Sequence, residues 1–106
     1  MADAYKTLVQ AAVPTTAAMI GSAVGAAKSW IAKHIIIINT GTVGALTVQL
    51  FKNGTTAAYA FSGVMSVGPG GHAEWDGTEA FATGEYIAGV GSASGMYLVM
   101  SGDEVS

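Results

Sequence analysis

Cysteine is missing from these 106 residues, and so is arginine. The first absence excludes disulfides, thiolate metal sites and a cysteine nucleophile together. The second leaves four lysines and a net charge of -3. Phosphate recognition depends on clustered Lys and Arg, so nucleic acid is not an expected partner. Ionic residues of either sign are scarce: Asp, Glu, Lys and Arg make up 10% of the chain, against about 25% in an ordinary soluble domain. A surface with so little charge is expected to be covered in part by other molecules.

Long apolar runs are also few. Residues 7–27 carry no charge and, at about 20 residues, match the thickness of a bilayer. Their content does not: the stretch is rich in alanine, holds Pro14 and contains four hydroxyl residues. Asp3 precedes the single Lys6 of the opening, which is not the basic start of a secretory signal. No membrane partner is expected.

What remains is 51% hydrophobic and punctuated by 15 glycines, at a length suited to one domain. Turn signals recur every eight to twelve residues or so, the spacing of a sandwich or barrel. The expected fold is all-β, an antiparallel β-sandwich of jelly-roll or Ig-like type with an extended N-terminal arm. Residues 1–27 form the arm and the first short strands in this reading, and residues 28–106 form the sandwich core. Thr16 to Ala27 reads as extended, with a helix as the alternative because of its alanines.

The densest strand signal is Ser29 to Asn39, with four consecutive isoleucines, since β-branched side chains suit a pleated sheet. Regular alternation puts Trp30, Ala32, His34, Ile36 and Ile38 on one face and Ile31, Lys33, Ile35 and Ile37 on the other. Both faces are apolar at the isoleucine end, so the second is expected to lie against the arm or another subunit. Asn53-Gly54 predicts a two-residue hairpin joining Ala45–Lys52 to Thr56–Phe61. Gly68-Pro69-Gly70-Gly71 and the Gly91–Gly95 run read as turns. All four lysines lie in the first half and six of the seven acids from Glu74 onward, which would let copies pair positive against negative.

Candidate chemistry is thin. His72, Glu74 and Asp76 share one strand face and offer an imidazole and two carboxylates. Same-face neighbours on a strand stand about 7 Å apart, so the set reads as a solvent face opposite Ala73 and Trp75. His34 reads as a buried or interface side chain, because no nucleophile accompanies it. Gly91-Ser92-Ala93-Ser94-Gly95 offsets its serine from a nucleophile elbow, and Gly68–Gly71 opens a strand, not a phosphate-binding helix. The residues assign no catalytic group, no metal ligand and no cofactor, and the chain reads as a non-enzyme. Trp30, Tyr59, Trp75 and Tyr86 are stacking candidates for a second reading, a carbohydrate-binding module.

Taken together, Tyr5-Lys6, Leu8 and Gln10, the Ala/Thr/Pro stretch from Ala11 to Ala18, the Lys28-Ser29 lead into a strand ending Ile38-Asn39-Thr40-Gly41, and the Val99–Glu104 close resemble small β-sandwich virion proteins of tailed bacteriophages. The resemblance implies a capsid decoration, or cement, subunit that binds the major capsid protein across capsomer seams. A neck, tail or fibre component is the alternative within the same family. It further implies a homo-oligomer, with a trimer favoured, assembled in the host cytoplasm and carried on the virion surface. The interface expected for such a subunit comprises Tyr5, Leu8, Val9 and Val13 of the arm with Trp30, His34, Ile36 and Ile38 of the isoleucine strand.

Overall fold

A computed structural model describes residues 3–41 and 44–106. Eight strands run β1 Asp3–Ala12, β2 Ala18–Met19, β3 Ser29–Asn39, β4 Leu46–Lys52, β5 Met65–Val67, β6 His72–Phe81, β7 Ile87–Gly91 and β8 Met96–Val105. They form two four-stranded sheets, a long one in the order β1-β8-β3-β6 and a short one in the order β2-β7-β4-β5. Every strand pairing is antiparallel. The chain crosses repeatedly between the sheets in the double Greek-key winding of a jelly roll, which selects that form over the Ig-like one. Among the described residues no helix is long and apolar enough to cross a membrane. The 16–27 stretch contains β2 and loop, with no α-helix.

Among the described residues no arm stands away from this sandwich. Asp3–Ala12 pairs with β8 along its length, from Asp3 opposite Val105 to Ala12 opposite Tyr97. Val9 and Val13 close the core. Residues 1 and 2, the tip of the expected arm, lie outside the described residues. The segment became a strand because its apolar side chains had a sheet edge to cover and β8 offered its backbone a row of hydrogen-bond partners.

The core lies between the two inner faces. Ala11, Leu98, Ile37 and Ala73 form one cross-strand row of the long sheet, and Val9, Met100, Ile35 and Trp75 form the next. Val48, Leu50, Ile87 and Val67 face them from the short sheet. Burying each large aliphatic side chain contributes about 1.5–3 kcal/mol. Asn39 is the buried polar residue of this interior. Its Nδ2 donates to the carbonyls of Val67 at 3.0 Å and Gly44 at 3.4 Å, and its Oδ1 accepts from Gly41 N–H at 2.9 Å.

Of the local turn expectations, one changes and one holds. The Asn53-Gly54 hairpin does not form: Asn53 has φ of +53° while Gly54 stays outside the positive region, so the type I′ pair is incomplete. The chain instead takes a wider loop with a 3-10 turn at Ala57–Tyr59, an isolated bridge from Phe51 to Ala60, and a strand partner at Met65–Val67. Gly77 lies inside β6 and does not interrupt it. Gly68–Gly71 is a turn, with Gly70 at φ +70° behind Pro69 and Gly71 N–H bonded to Gly68 O at 2.9 Å, the signature of type II.

Candidate functional site

The outer face of the long sheet is set by a β-bulge in β3. Ala32 is paired with Gly102 and Glu79, and the next paired residue is His34, opposite Ser101 and Asp76. Lys33 is the extra residue. A side-chain period of two cannot survive an inserted residue, so the faces of the strand exchange there. Trp30 and Ala32 point inward before the bulge, and Ile35, Ile37 and Asn39 point inward after it. His34, Ile36 and Ile38 therefore sit on the face opposite Trp30, which corrects the regular alternation.

Cross-strand register then builds two apolar rows on the outside. Ala12, Tyr97 and Ile38 lie side by side across β1, β8 and β3, and Gln10, Val99 and Ile36 lie in the next row. Tyr97 and Ile38 are exposed at 48% and 38%, and Ile36 and Val99 are half-buried. The same rows reach the edge strand β6 at His72 and Glu74. Large contiguous apolar patches on soluble proteins are commonly interaction surfaces. Sequence reasoning missed Tyr97 and Val99, although the alternation of Met96 to Met100 carried the signal.

A polar cluster borders this patch. His72 and His34 each direct Nε2 at the Glu74 carboxylate, at 3.0 Å from Oε1 and 3.3 Å from Oε2 respectively. An ionised carboxylate only accepts, so both ring nitrogens donate when the pair of bonds forms. The bonds from His72 and then His34 hold the Glu74 carboxyl below its ordinary range. Asp76 Oδ1 stands 3.7 Å from the same His34 nitrogen. His34 thus belongs to an exposed cluster, and the isolation expected for His72, Glu74 and Asp76 along one strand is bridged from the neighbouring strand.

The expected interface residues separate. Val9, Val13 and Trp30 are buried inside the sandwich and present no surface. Leu8 is the bulged residue of β1, half-buried against the core. Tyr5, His34, Ile36 and Ile38 remain on or near the outer face. The lysines bond within the chain: Lys6 and Lys28 reach Glu104, Lys33 reaches Asp103 and Lys52 reaches Glu79. The uneven charge of the two halves is thereby paired within the sandwich. Of the aromatic candidates for ligand stacking, Trp30 is interior and Trp75 makes an edge-on contact with Phe61 at 5.3 Å. A shallow depression on the short sheet is lined by Thr47, Gln49, Val64, Val90 and Ser92 among others, none of them aromatic.

No protein-family model matches the chain, and no curated protein matches it in sequence. A solved structure from work on Bacillus endospore appendages, described as a novel family of disulfide-linked pili, matches with a TM-score of 0.54. It is 16% identical in sequence, and the match covers 98% of this chain and 88% of that one. The likeness is one of fold. Its covalent linkage has no counterpart here, because these residues hold no cysteine.

Proposed function

We propose that the chain is a non-enzymatic structural subunit, joined to copies of itself or to other subunits through the outer face of its long sheet. The observation that carries this reading is the pair of apolar rows formed by Ala12, Tyr97, Ile38, Val99 and Ile36, on a chain with only 10% charged residues. Water gains on release from such a surface at about 25 cal/mol per Å² of apolar area covered, and many copies held at several contacts multiply a weak bond into a strong one. A fold shared with a chain of pilus-forming appendages is compatible with this use, with noncovalent contacts in place of disulfides.

Within the same reading, the sequence resemblance to phage virion proteins names a finer role, a capsid decoration subunit that binds the major capsid protein, as a trimer, on the virion surface. The test separates the levels. Light scattering on the purified protein should show species larger than one chain, and Tyr97→Lys combined with Ile38→Lys should return a folded monomer. A wild-type protein that stays monomeric and binds no particle overturns the subunit reading. Self-assembly without co-sedimentation on capsids would set aside the decoration role alone.

A further inference from the structure

We propose that His34, Glu74 and Asp76 form a binding site for a divalent transition-metal ion of the zinc class, with His72 positioning Glu74 from outside the coordination shell. The three ligand residues come from two adjacent strands, and one donor atom from each lies within 4.8 Å of the others. Zinc bonds to imidazole nitrogen and carboxylate oxygen are about 2.0–2.2 Å long, which places neighbouring tetrahedral ligands roughly 3.3–3.5 Å apart. The separations from His34 Nε2 to Glu74 Oε2 and to Asp76 Oδ1 are 3.3 and 3.7 Å. Two of the three separations are thus close to that spacing, and the third, between Glu74 and Asp76 and within 4.8 Å, would close to it by side-chain rotation. Each ligand side chain retains access to solvent, with Asp76 exposed at 75%, so water or a group from a partner can fill the remaining position.

The backbone is arranged for this convergence. Without the extra residue Lys33, regular alternation from Trp30 would turn His34 toward the interior; the bulge sends it outward, opposite Asp76. The same register shift passes over Gly77 and Thr78 on β6, and such irregularities re-aim side chains at sites of use. The second carboxylate oxygen of Glu74 is held by His72 at 3.0 Å, the kind of outer-shell bond that fixes a ligand's orientation. One imidazole and two carboxylates with no sulfur suit zinc or a neighbouring first-row ion better than a soft monovalent metal. His34 binds through Nε2 in its neutral form, with its proton carried on Nδ1.

Calorimetric titration of Zn²⁺ into the chelator-stripped 106-residue chain tests the site. Saturable binding of one ion per chain is expected, with a Tm that rises in Zn²⁺ and returns on adding chelator. His34→Ala and Glu74→Gln should each weaken binding at least tenfold while keeping the metal-free Tm and strand circular dichroism of the parent. His72→Ala should weaken it by about tenfold or more, in the range of outer-shell partners. Should either principal variant misfold, Asp76→Asn supplies the same comparison at a more exposed position. The absence of saturable binding, or binding that survives both His34→Ala and Asp76→Asn unchanged, overturns the proposal.

Discussion

The indole Nε1 of Trp30 donates to Oε2 of Glu104 at 3.0 Å, joining β3 to β8 at the end of the sandwich. Lys6 and Lys28 approach the other carboxylate oxygen of Glu104 at 3.1 and 3.5 Å. The Trp30 bond first, and Lys6 after it, lower the Glu104 pKa. A carboxyl depressed by folding contributes stability above its unfolded pKa, about 4.3, and loses that contribution as pH falls through the folded value. Acid titration of Tm should therefore show the wild type losing stability below roughly pH 4.3 more steeply than Glu104→Gln. Parallel curves for the two proteins would show that this carboxylate is not linked to folding.

Ile35 and Ile36 are neighbours with opposite fates: the first is fully buried and the second is on the outer face. A carboxylate introduced at 35 would be buried without a partner, and the domain should fail to fold. At 36 the same substitution stands in half-exposed surface beside Glu74, so a folded protein with impaired assembly is expected. Circular dichroism with thermal melting reads the first effect and light scattering the second.

That contrast also marks how far the sequence could be read. Strand content and the two-layer architecture were legible because Ile, Val and Thr cluster in short runs separated by glycine-rich turns, and the isoleucine run itself sits where expected. The parity of β3 was not legible, since nothing in Ala32-Lys33-His34 announces that Lys33 is unpaired; the bulge arises from fitting β3 between β8 and β6 at once. The union of His34 with Glu74 and Asp76 was hidden for the same reason. Periodicity along one strand says nothing about which strand lies beside it. The β1 segment carries a short-strand signal at Ala4–Gln10 but read as part of an arm because Pro14 and the alanines that follow look non-committal, and only its long-range pairing with β8 gives it a place.

Asn39 binds the end of β3 to β5 from a position only 1% exposed. Replacement by Leu keeps the bulk but leaves the Val67 carbonyl and the Gly41 N–H without their partner. Gly41 is open to water, but Val67 is buried, and stranding its carbonyl costs about 1–3 kcal/mol. Urea denaturation of Asn39→Leu should show a midpoint lowered by a corresponding amount with an unchanged slope. A midpoint equal to that of the wild type would mean that water satisfies these groups.

Gly102 is buried opposite Ala32 at the bulge, where a Cβ would run into the carbonyl oxygen of Ile31 and stand 3.0 Å from the Ala32 Cα. These are backbone atoms of the adjacent strand and cannot swing aside. Gly102→Ala should therefore push β8 away from β3 and destabilise the domain by several kcal/mol, among the larger effects of a single methyl group. Ala substitution at Gly68, where nothing lies within 4 Å of the added carbon, is the comparison and should leave Tm nearly unchanged.

Removing residues 1–13 distinguishes an edge strand from an arm. An arm could be cut away from an intact core, whereas β1 covers one side of β8 and supplies Val9 and Val13 to the interior. The truncated chain should expose the β8 edge as a row of unpaired backbone groups, the template on which strands aggregate. We expect it to be poorly soluble and to lose cooperative melting. A synthetic peptide of residues 3–13, added during refolding, should restore both by re-forming the Val9–Met100 and Ala11–Leu98 pairings through strand addition. A truncated protein that melts cooperatively by itself, and gains nothing from the peptide, would return the segment to the status of an appendage.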